Sequence, residues 1–257
     1  MDLGINGRTA LVTGASSGIG EAVALALAAE GVKLAVAARR EEKLRGVAAR
    51  AKAMGASDAR AYALDLTDAA SIDATLKSVH ADFGSVDILV VNGGGPKPGK
   101  FSDLTIDDWD AGYRGVLRGV LKLVEGTVPL MRENRWGRIV ALTSTSVKQP
   151  IDNLALSNAF RTALVSALRT LANEVAPDGV TVNCIATGRV KTDRLRQLYG
   201  GSDEQMEAAA AAEVPMKRVA SPQEFAPLVA FLCGQSASYV TAQTIAIDGG
   251  LTRGTFG

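Results

Sequence analysis

Short apolar runs alternate along this chain with longer stretches in which apolar residues recur at helical spacing. The runs Thr9 to Thr13, Lys33 to Ala38, Ala59 to Leu64, Ile88 to Val91, Arg138 to Thr143, Thr181 to Ala186 and Gln243 to Ile247 are predicted as strands. The stretches Gly18 to Glu30, Glu41 to Met54, Ser71 to Phe83, Ile106 to Asn134, Leu156 to Ala176 and Pro222 to Leu232 are predicted as helices. Alternation of this kind reads as repeated βαβ units, in which crossover helices cover both faces of a buried parallel sheet. The expected fold class is therefore α/β, a doubly wound parallel sheet of seven strands with helices on both faces. Pro129 falls near the end of the fourth helical stretch, where its missing N–H should bend the helix or end its last turn. The segment Val190 to Met216 breaks the alternation: it is charged at first, passes Gly200-Gly201, and then runs through an Ala-rich helical stretch from Glu204 to Glu213. An insertion of that kind after a sheet strand reads as a substrate lid.

Composition narrows the picture. Aromatic residues make up only 5% against 47% hydrophobic overall, so the core must be built from Ala, Val, Leu and Ile. At 257 residues, a chain of this class is expected to form one domain over 1–257. The net charge of +1 argues against nucleic acid as partner. Met1 to Arg8 lacks an apolar signal region and no later stretch is long and apolar enough for a membrane span, so a cytoplasmic location without membrane association is expected. Cys184 and Cys233 lack metal or disulfide spacing and read as small buried hydrophobes. His80, the single histidine, lies in a polar helix where solvent exposure is expected, which disfavours a metal site or a Ser-His-Asp hydrolase.

Candidate chemistry begins where the first strand ends. Gly14-Ala15-Ser16-Ser17-Gly18-Ile19-Gly20 places three glycines where the backbone must turn sharply, and a helix starts inside the run. Amides and a helix N-terminus then face an anion, as a dinucleotide pyrophosphate requires. The second strand ends in Ala37-Ala38-Arg39-Arg40. No carboxylate stands there to bind a ribose and repel a 2′-phosphate, and Arg39 and Arg40 offer that phosphate charge-assisted hydrogen bonds. NADP(H) is thus the expected cofactor.

The spacing TGxxxGxG resembles that of the short-chain dehydrogenase/reductase family, and the likeness continues to the C-terminus. Asp65-Leu66 resembles the family's adenine contact, Asn92-Gly93-Gly94 its Asn-Ala-Gly, and Gly188, Val190 and Thr192 its loop at the nicotinamide amide. Pro215, Arg218, Pro222, Glu224, Phe231-Leu232 and Asp248-Gly249-Gly250 follow at family spacing. The resemblance implies a Rossmann fold and a homotetramer in which Ile106 to Asn134 and Leu156 to Ala176 pair across a subunit interface. Ala155, Ala159, Ala163, Ala167 and Ala172 would permit close helix contact there.

The same resemblance implies a catalytic tetrad of which one member remains. Ser144 matches the substrate-orienting Ser, with Thr143 and Ser146 as neighbouring alternatives. The family's YxxxK aligns with Ser157 to Arg161, so Ser157 replaces the Tyr and Arg161 the Lys; Val116 stands for the Asn that holds a relay water, and Thr187 for a Pro. An aliphatic hydroxyl is a far poorer acid than a phenol, and a guanidinium keeps its proton. Arg161 could still hold the nicotinamide ribose. Two functions are therefore expected: an NADPH-dependent oxidoreductase on a ketone, 3-oxoacyl or secondary alcohol group, resembling 3-oxoacyl-[acyl-carrier-protein] reductases with weak or altered activity, or an NADP(H)-binding sensor, scaffold or oligomer partner. A reductase would need another proton source, with water, Lys148, Tyr113 and Tyr199 as candidates. Core packing is the more ordinary role for Tyr113.

Overall fold

The computed structural model describes residues 2–254. Met1 and Thr255 to Gly257, at the ends of the expected domain, lie outside the described residues. All seven expected strands form: β1 (Thr9–Thr13), β2 (Lys33–Ala38), β3 (Asp58–Ala63), β4 (Ile88–Val91), β5 (Gly137–Leu142), β6 (Val180–Thr187) and β7 (Thr244–Ile247). They build one sheet in the order β3-β2-β1-β4-β5-β6-β7, every neighbouring pair parallel.

The period-two alternation of a strand divides the core. From β1, Val12 joins Val23, Leu27, Leu34, Val36 and Phe225 under α1 (Gly18–Ala28), α2 (Glu41–Ala53) and α9 (Pro222–Cys233). Leu11 points the other way, to Ile72, Leu89, Leu123, Ile139 and Leu164 under α3 (Ala69–Phe83), α5 (Gly119–Glu133) and α6 (Ala155–Val175). Each fully buried side chain of this size contributes about 1.5–3 kcal/mol, which is why the sheet centre needs no polar partner to hold it.

Several expectations are corrected. The stretch Ile106 to Asn134 is helical but not uniformly α: α4 (Ile106–Gly112) passes through a π turn at Tyr113–Arg118 before α5. Pro129 lies inside α5, which continues for one more turn and ends at Glu133, its buried side held by Leu123, Thr127 and Met131. The helix expected from Ser71 starts at Ala69, since Asp68 caps it by accepting from the Ala70 N–H at 2.9 Å. His80 is half-buried, not exposed, and its Nε2 has no partner among the described residues. Cys184 and Cys233 are free and buried as expected, with burial pushing each thiol up to about 12.

The segment Val190 to Met216 holds two helices: α7 (Asp193–Leu198), not foreseen, and α8 (Asp203–Glu213). Leu195, Met206, Ala210, Val214 and Val219 form a small core of their own there. Among the described residues no helix is long and apolar enough to cross a membrane. The strand order reverses at β1, which lies between β2 and β4, and the crevice beyond the carboxyl ends of β1 and β4 is where such sheets bind ligands.

Candidate active site

β1 and β4 deliver Thr13 and Asn92 to this crevice. Thr13 Oγ1 accepts from the Asn92 N–H and donates to the Asn92 carbonyl, both at 3.0 Å, while Asn92 Nδ2 donates to the Gly14 carbonyl at 3.3 Å. Gly14 adopts φ 60°, and a Cβ there would run into the Asn92 carbonyl. At Gly20 a Cβ would overlap the Gly14 carbonyl. Only glycines allow a turn this tight, which lets a pyrophosphate approach the N-terminus of α1.

Both serines of the turn accept from Arg40, Ser16 from a buried position and Ser17 from a half-buried one. Ser17 begins α1 without a side-chain capping bond; its Oγ accepts from Arg40 Nη2 at 2.7 Å, and Ser16 Oγ accepts from Arg40 Nε and Nη2 at 3.2 and 3.0 Å. Arg40 Nη1 lies 4.0 Å from Asp193 Oδ2 on α7. Ile19 sits behind the turn in the core. Arg39 is exposed and its charge reaches Asp65, whose carboxyl is held below its ordinary value chiefly by the Thr67 N–H and hydroxyl, with Arg39 adding. A Cβ on Gly93 would stand 3.2 Å from Leu66 Cδ1, so these two are neighbours, and Gly94 is exposed beside them.

The chain returns to the crevice after β6. Gly188 donates its N–H to the Ile247 carbonyl at 2.9 Å, and Val190 bridges to Ala220. Thr192 caps α7, accepting from the Leu195 N–H at 3.2 Å, and its methyl borders the space above Gly18. Thr187 Oγ1 is buried without a partner among the described residues.

Beyond β5, Thr143 Oγ1 donates to the Ile185 carbonyl at 2.8 Å and is tied into the sheet. Ser144 Oγ accepts from the Ser146 N–H at 3.1 Å. Ser146 Oγ reaches Ser157 Oγ at 3.3 Å, both side chains buried. One turn further along α6, Arg161 Nη1 donates to the Leu142 carbonyl at 3.2 Å. Burial lowers the pKa of Arg161 to about 10, with Arg194 adding, so at neutral pH it remains a cation. A narrow cleft joins Arg161 to Gly93, Gly94, Val116 and Leu142. Tyr113 does not share the inner face with Val116: Val116 is buried while Tyr113 is 43% exposed, lying against Phe160 at 6.3 Å between centroids. The π turn between them shifts the register that α-helical spacing assumes. Tyr199 is engaged as well, donating its hydroxyl to the Glu213 carboxylate at 2.9 Å under the Arg189 guanidinium, and burial pushes its phenol up to about 12. Lys148 is half-buried and makes no ion pair among the described residues.

A family model described as enoyl-(acyl carrier protein) reductase matches residues 14–252. The chain belongs to the short-chain dehydrogenase/reductase family. It is 37% identical over 251 residues to a 3-oxoacyl-[acyl-carrier-protein] reductase of Salmonella typhimurium, covering 97% of this chain and 99% of that one. The NADPH-dependent reductase BacG of Bacillus subtilis is 32% identical over 252 residues, covering 95% and 97%. Among solved structures, L-sorbose reductase from Gluconobacter frateurii complexed with NADPH and L-sorbose superposes with a TM-score of 0.91 at 32% identity, covering 99% of this chain and 100% of that one.

Sequence reasoning left one residue of this short-chain dehydrogenase/reductase as an alternative and missed another. Ser146 was one of three neighbouring hydroxyls, and only the turn at Thr145–Val147 shows that it, and not Ser144, meets Ser157. Arg194 reads in sequence as part of a charged segment, yet it folds back so that Nη2 donates to the Pro96 carbonyl at 2.6 Å. The signal that could have found it is Gly95, a third consecutive glycine beside Gly93-Gly94, where a side chain would collide with that guanidinium.

Proposed function

We propose that this protein binds NADPH and uses it to reduce a ketone or 3-oxoacyl carbonyl, with a site that has lost its tyrosine and delivers protons slowly. The observation that carries the reading is Arg40 forked onto Ser16 and Ser17 beside the glycine turn. One guanidinium and two hydroxyls there offer a 2′-phosphate several donors in one place, and Arg39 adds charge. Gly14, Gly18 and Gly20 would leave room for the pyrophosphate, Asp65 and Leu66 would border the adenine, Asn92, Gly93 and Gly94 would back the ribose, and Gly188, Val190 and Thr192 would close over the nicotinamide. The relatives support this cofactor, one being named as NADPH-dependent and one having been solved with NADPH.

Bound NADPH supplies the hydride. Ser157 and Ser146 hold the carbonyl oxygen through their hydroxyls, Ser144 fixes the turn that carries Ser146, and Arg161 places positive charge where the oxygen gains negative charge. Arg161 also stands where the nicotinamide ribose hydroxyls would be held. Neither serine is an acid strong enough to protonate the alkoxide efficiently, and Val116 anchors no water. With Tyr113 turned outward and Tyr199 bound to Glu213, water and Lys148 remain as proton sources. A second reading, NADP(H) binding without oxidoreductase chemistry, is favoured by the Ser146–Ser157 pair, whose hydroxyls already satisfy one another.

The protein is further read as a cytoplasmic homotetramer. Phe101 and Ile106, each 75% exposed, lie just before and at the start of α4, and Ala159 and Ala163 of α6 are exposed as well, whereas Ala172 is buried against its own sheet. Light scattering at micromolar concentration tests this, and a monomer overturns it.

Fluorescence titration with NADPH and NADH tests the cofactor reading. NADPH should bind at least about tenfold more tightly, a difference of roughly 1.4 kcal/mol, and Arg40→Ala should abolish the preference. Equal affinities would contradict it.

A further inference from the structure

We infer that the substrate carries a carboxylate beside its reacting carbonyl, and that Arg194 on the lid is the residue that recognises it. The inference rests on the carbonyl-reducing reading above and names the substrate class for that site. Arg194 reaches from α7 to the loop after β4, where Nη2 donates to the Pro96 carbonyl at 2.6 Å. Burial lowers its pKa, and its charge in turn lowers that of Arg161. Arg161 lines a cleft with Gly93 and Gly94, and the Arg194 guanidinium lies against the next residue, Gly95, so the two guanidinium groups flank one run of glycines. Among the described residues neither forms an ion pair, whereas Arg189, Arg196 and Arg218 nearby on the chain each hold a carboxylate. Partly buried like charges are unfavourable until an anion joins them.

The donors are there to receive one. A guanidinium has five N–H groups, and a single one of Arg161 and a single one of Arg194 are engaged, each by a backbone carbonyl. Arg161 follows Ser157 by one helical turn and so lies on the same face of α6, next to the hydroxyls that would hold the carbonyl oxygen. The glycine turn and the start of α1 already suit the cofactor's pyrophosphate, and Arg161 stands where the nicotinamide ribose would be held, which leaves Arg194 for an oxyanion on the substrate side. Gly95 makes the arrangement possible: a Cβ there would stand 2.7 Å from Arg194 Nε. A planar carboxylate matches the guanidinium fork.

The test is calorimetric titration of the NADP+-loaded protein with 2-oxooctanoate and 3-oxooctanoate, each beside its methyl ester. At least one acid should bind about tenfold or more tightly than its ester. Arg194→Met should bring acid and ester to within about threefold while leaving the NADP+ affinity within about threefold of the native value. Gly95→Ala, which displaces the guanidinium without removing its charge, should have the same effect. Equal binding of acid and ester to the native protein, or an acid preference that survives both variants, would overturn the inference. If Arg194→Met instead weakens NADP+ by about tenfold and leaves the acid preference intact, Arg194 serves the cofactor and the inference fails. Failure of NADP+ to bind overturns the cofactor reading alone, and the acid-ester comparison on the unloaded protein then decides the inference by the same outcomes.

Discussion

Ser146 Oγ and Ser157 Oγ lie 3.3 Å apart, both side chains buried, at the place where relatives of this fold are expected to carry a phenol. The pair is self-satisfied, with each hydroxyl able to donate to the other. Only one of the two protons is used in that bond, so a carbonyl oxygen can be offered the other, and a second only when the pair breaks; neither is a usable acid.

Removing one member leaves the other buried and unpaired. Ser157→Ala should destabilise the protein by about 1–3 kcal/mol, and Ser146→Ala by a similar amount. The double replacement should cost less than the sum of the two. Urea unfolding of all three variants measures the coupling, and strict additivity would show that the hydroxyls do not interact.

Gly20→Ala should remove NADPH binding while leaving the protein folded. The added Cβ would meet the Gly14 carbonyl, so the turn must open where the pyrophosphate would sit. A loss of about tenfold or more in affinity by fluorescence titration, with unchanged far-ultraviolet circular dichroism, is the expected result. Native affinity in this variant would remove the pyrophosphate from this turn.

Neither cysteine should react while the protein is folded. Burial holds both thiols near about 12, so thiolate is negligible at pH 8 and reagents cannot enter. Labelling with a thiol-reactive dye should follow global unfolding in urea. Fast labelling in buffer would mean local opening at β6 or α9.

The sheet was legible in the chain because its central strands, β1, β4, β5 and β6, are largely apolar runs buried on both faces; β1 and β4 were placed to the residue. The dinucleotide turn was legible for a related reason, since few other folds require glycines at Gly14, Gly18 and Gly20 together. What sequence could not reveal depended on register and direction. The π turn at Tyr113–Arg118 has no periodic signature, so helical spacing put Tyr113 and Val116 on one face when Val116 is buried and Tyr113 is exposed. Helix α7 is six residues long, too short for amphipathic pattern to appear, and its Arg194 points back at the loop after β4 instead of into solvent. Ser146 was hidden among adjacent hydroxyls whose directions only the turn decides.

Acid should loosen the start of α9 before it unfolds the sheet. Ser221 and Glu224 form a capping box, and Arg218 and the Ser221 N–H hold the Glu224 carboxyl down at about 2 against an ordinary 4.5. A depressed carboxyl contributes stability above its unfolded value and loses it as pH falls from about 4.5 towards 2. Glu224→Gln should therefore lower Tm at pH 7, and the gap between the two proteins should close across that window. A gap of constant size from pH 7 down to pH 2 would contradict the pairing.

The central claim is that holding NADPH and delivering a proton have come apart in this site. Steady-state NADPH oxidation with ketone and 3-oxoacyl substrates, compared between the native protein and the triple replacement Val116→Asn, Ser157→Tyr, Arg161→Lys, tests it most directly. The account predicts slow or undetectable turnover by the native protein and a gain of about 10²-fold or more in the triple variant, the size expected of restored general acid catalysis. Fast turnover by the native protein, or no gain in a variant that still binds NADPH, would contradict it.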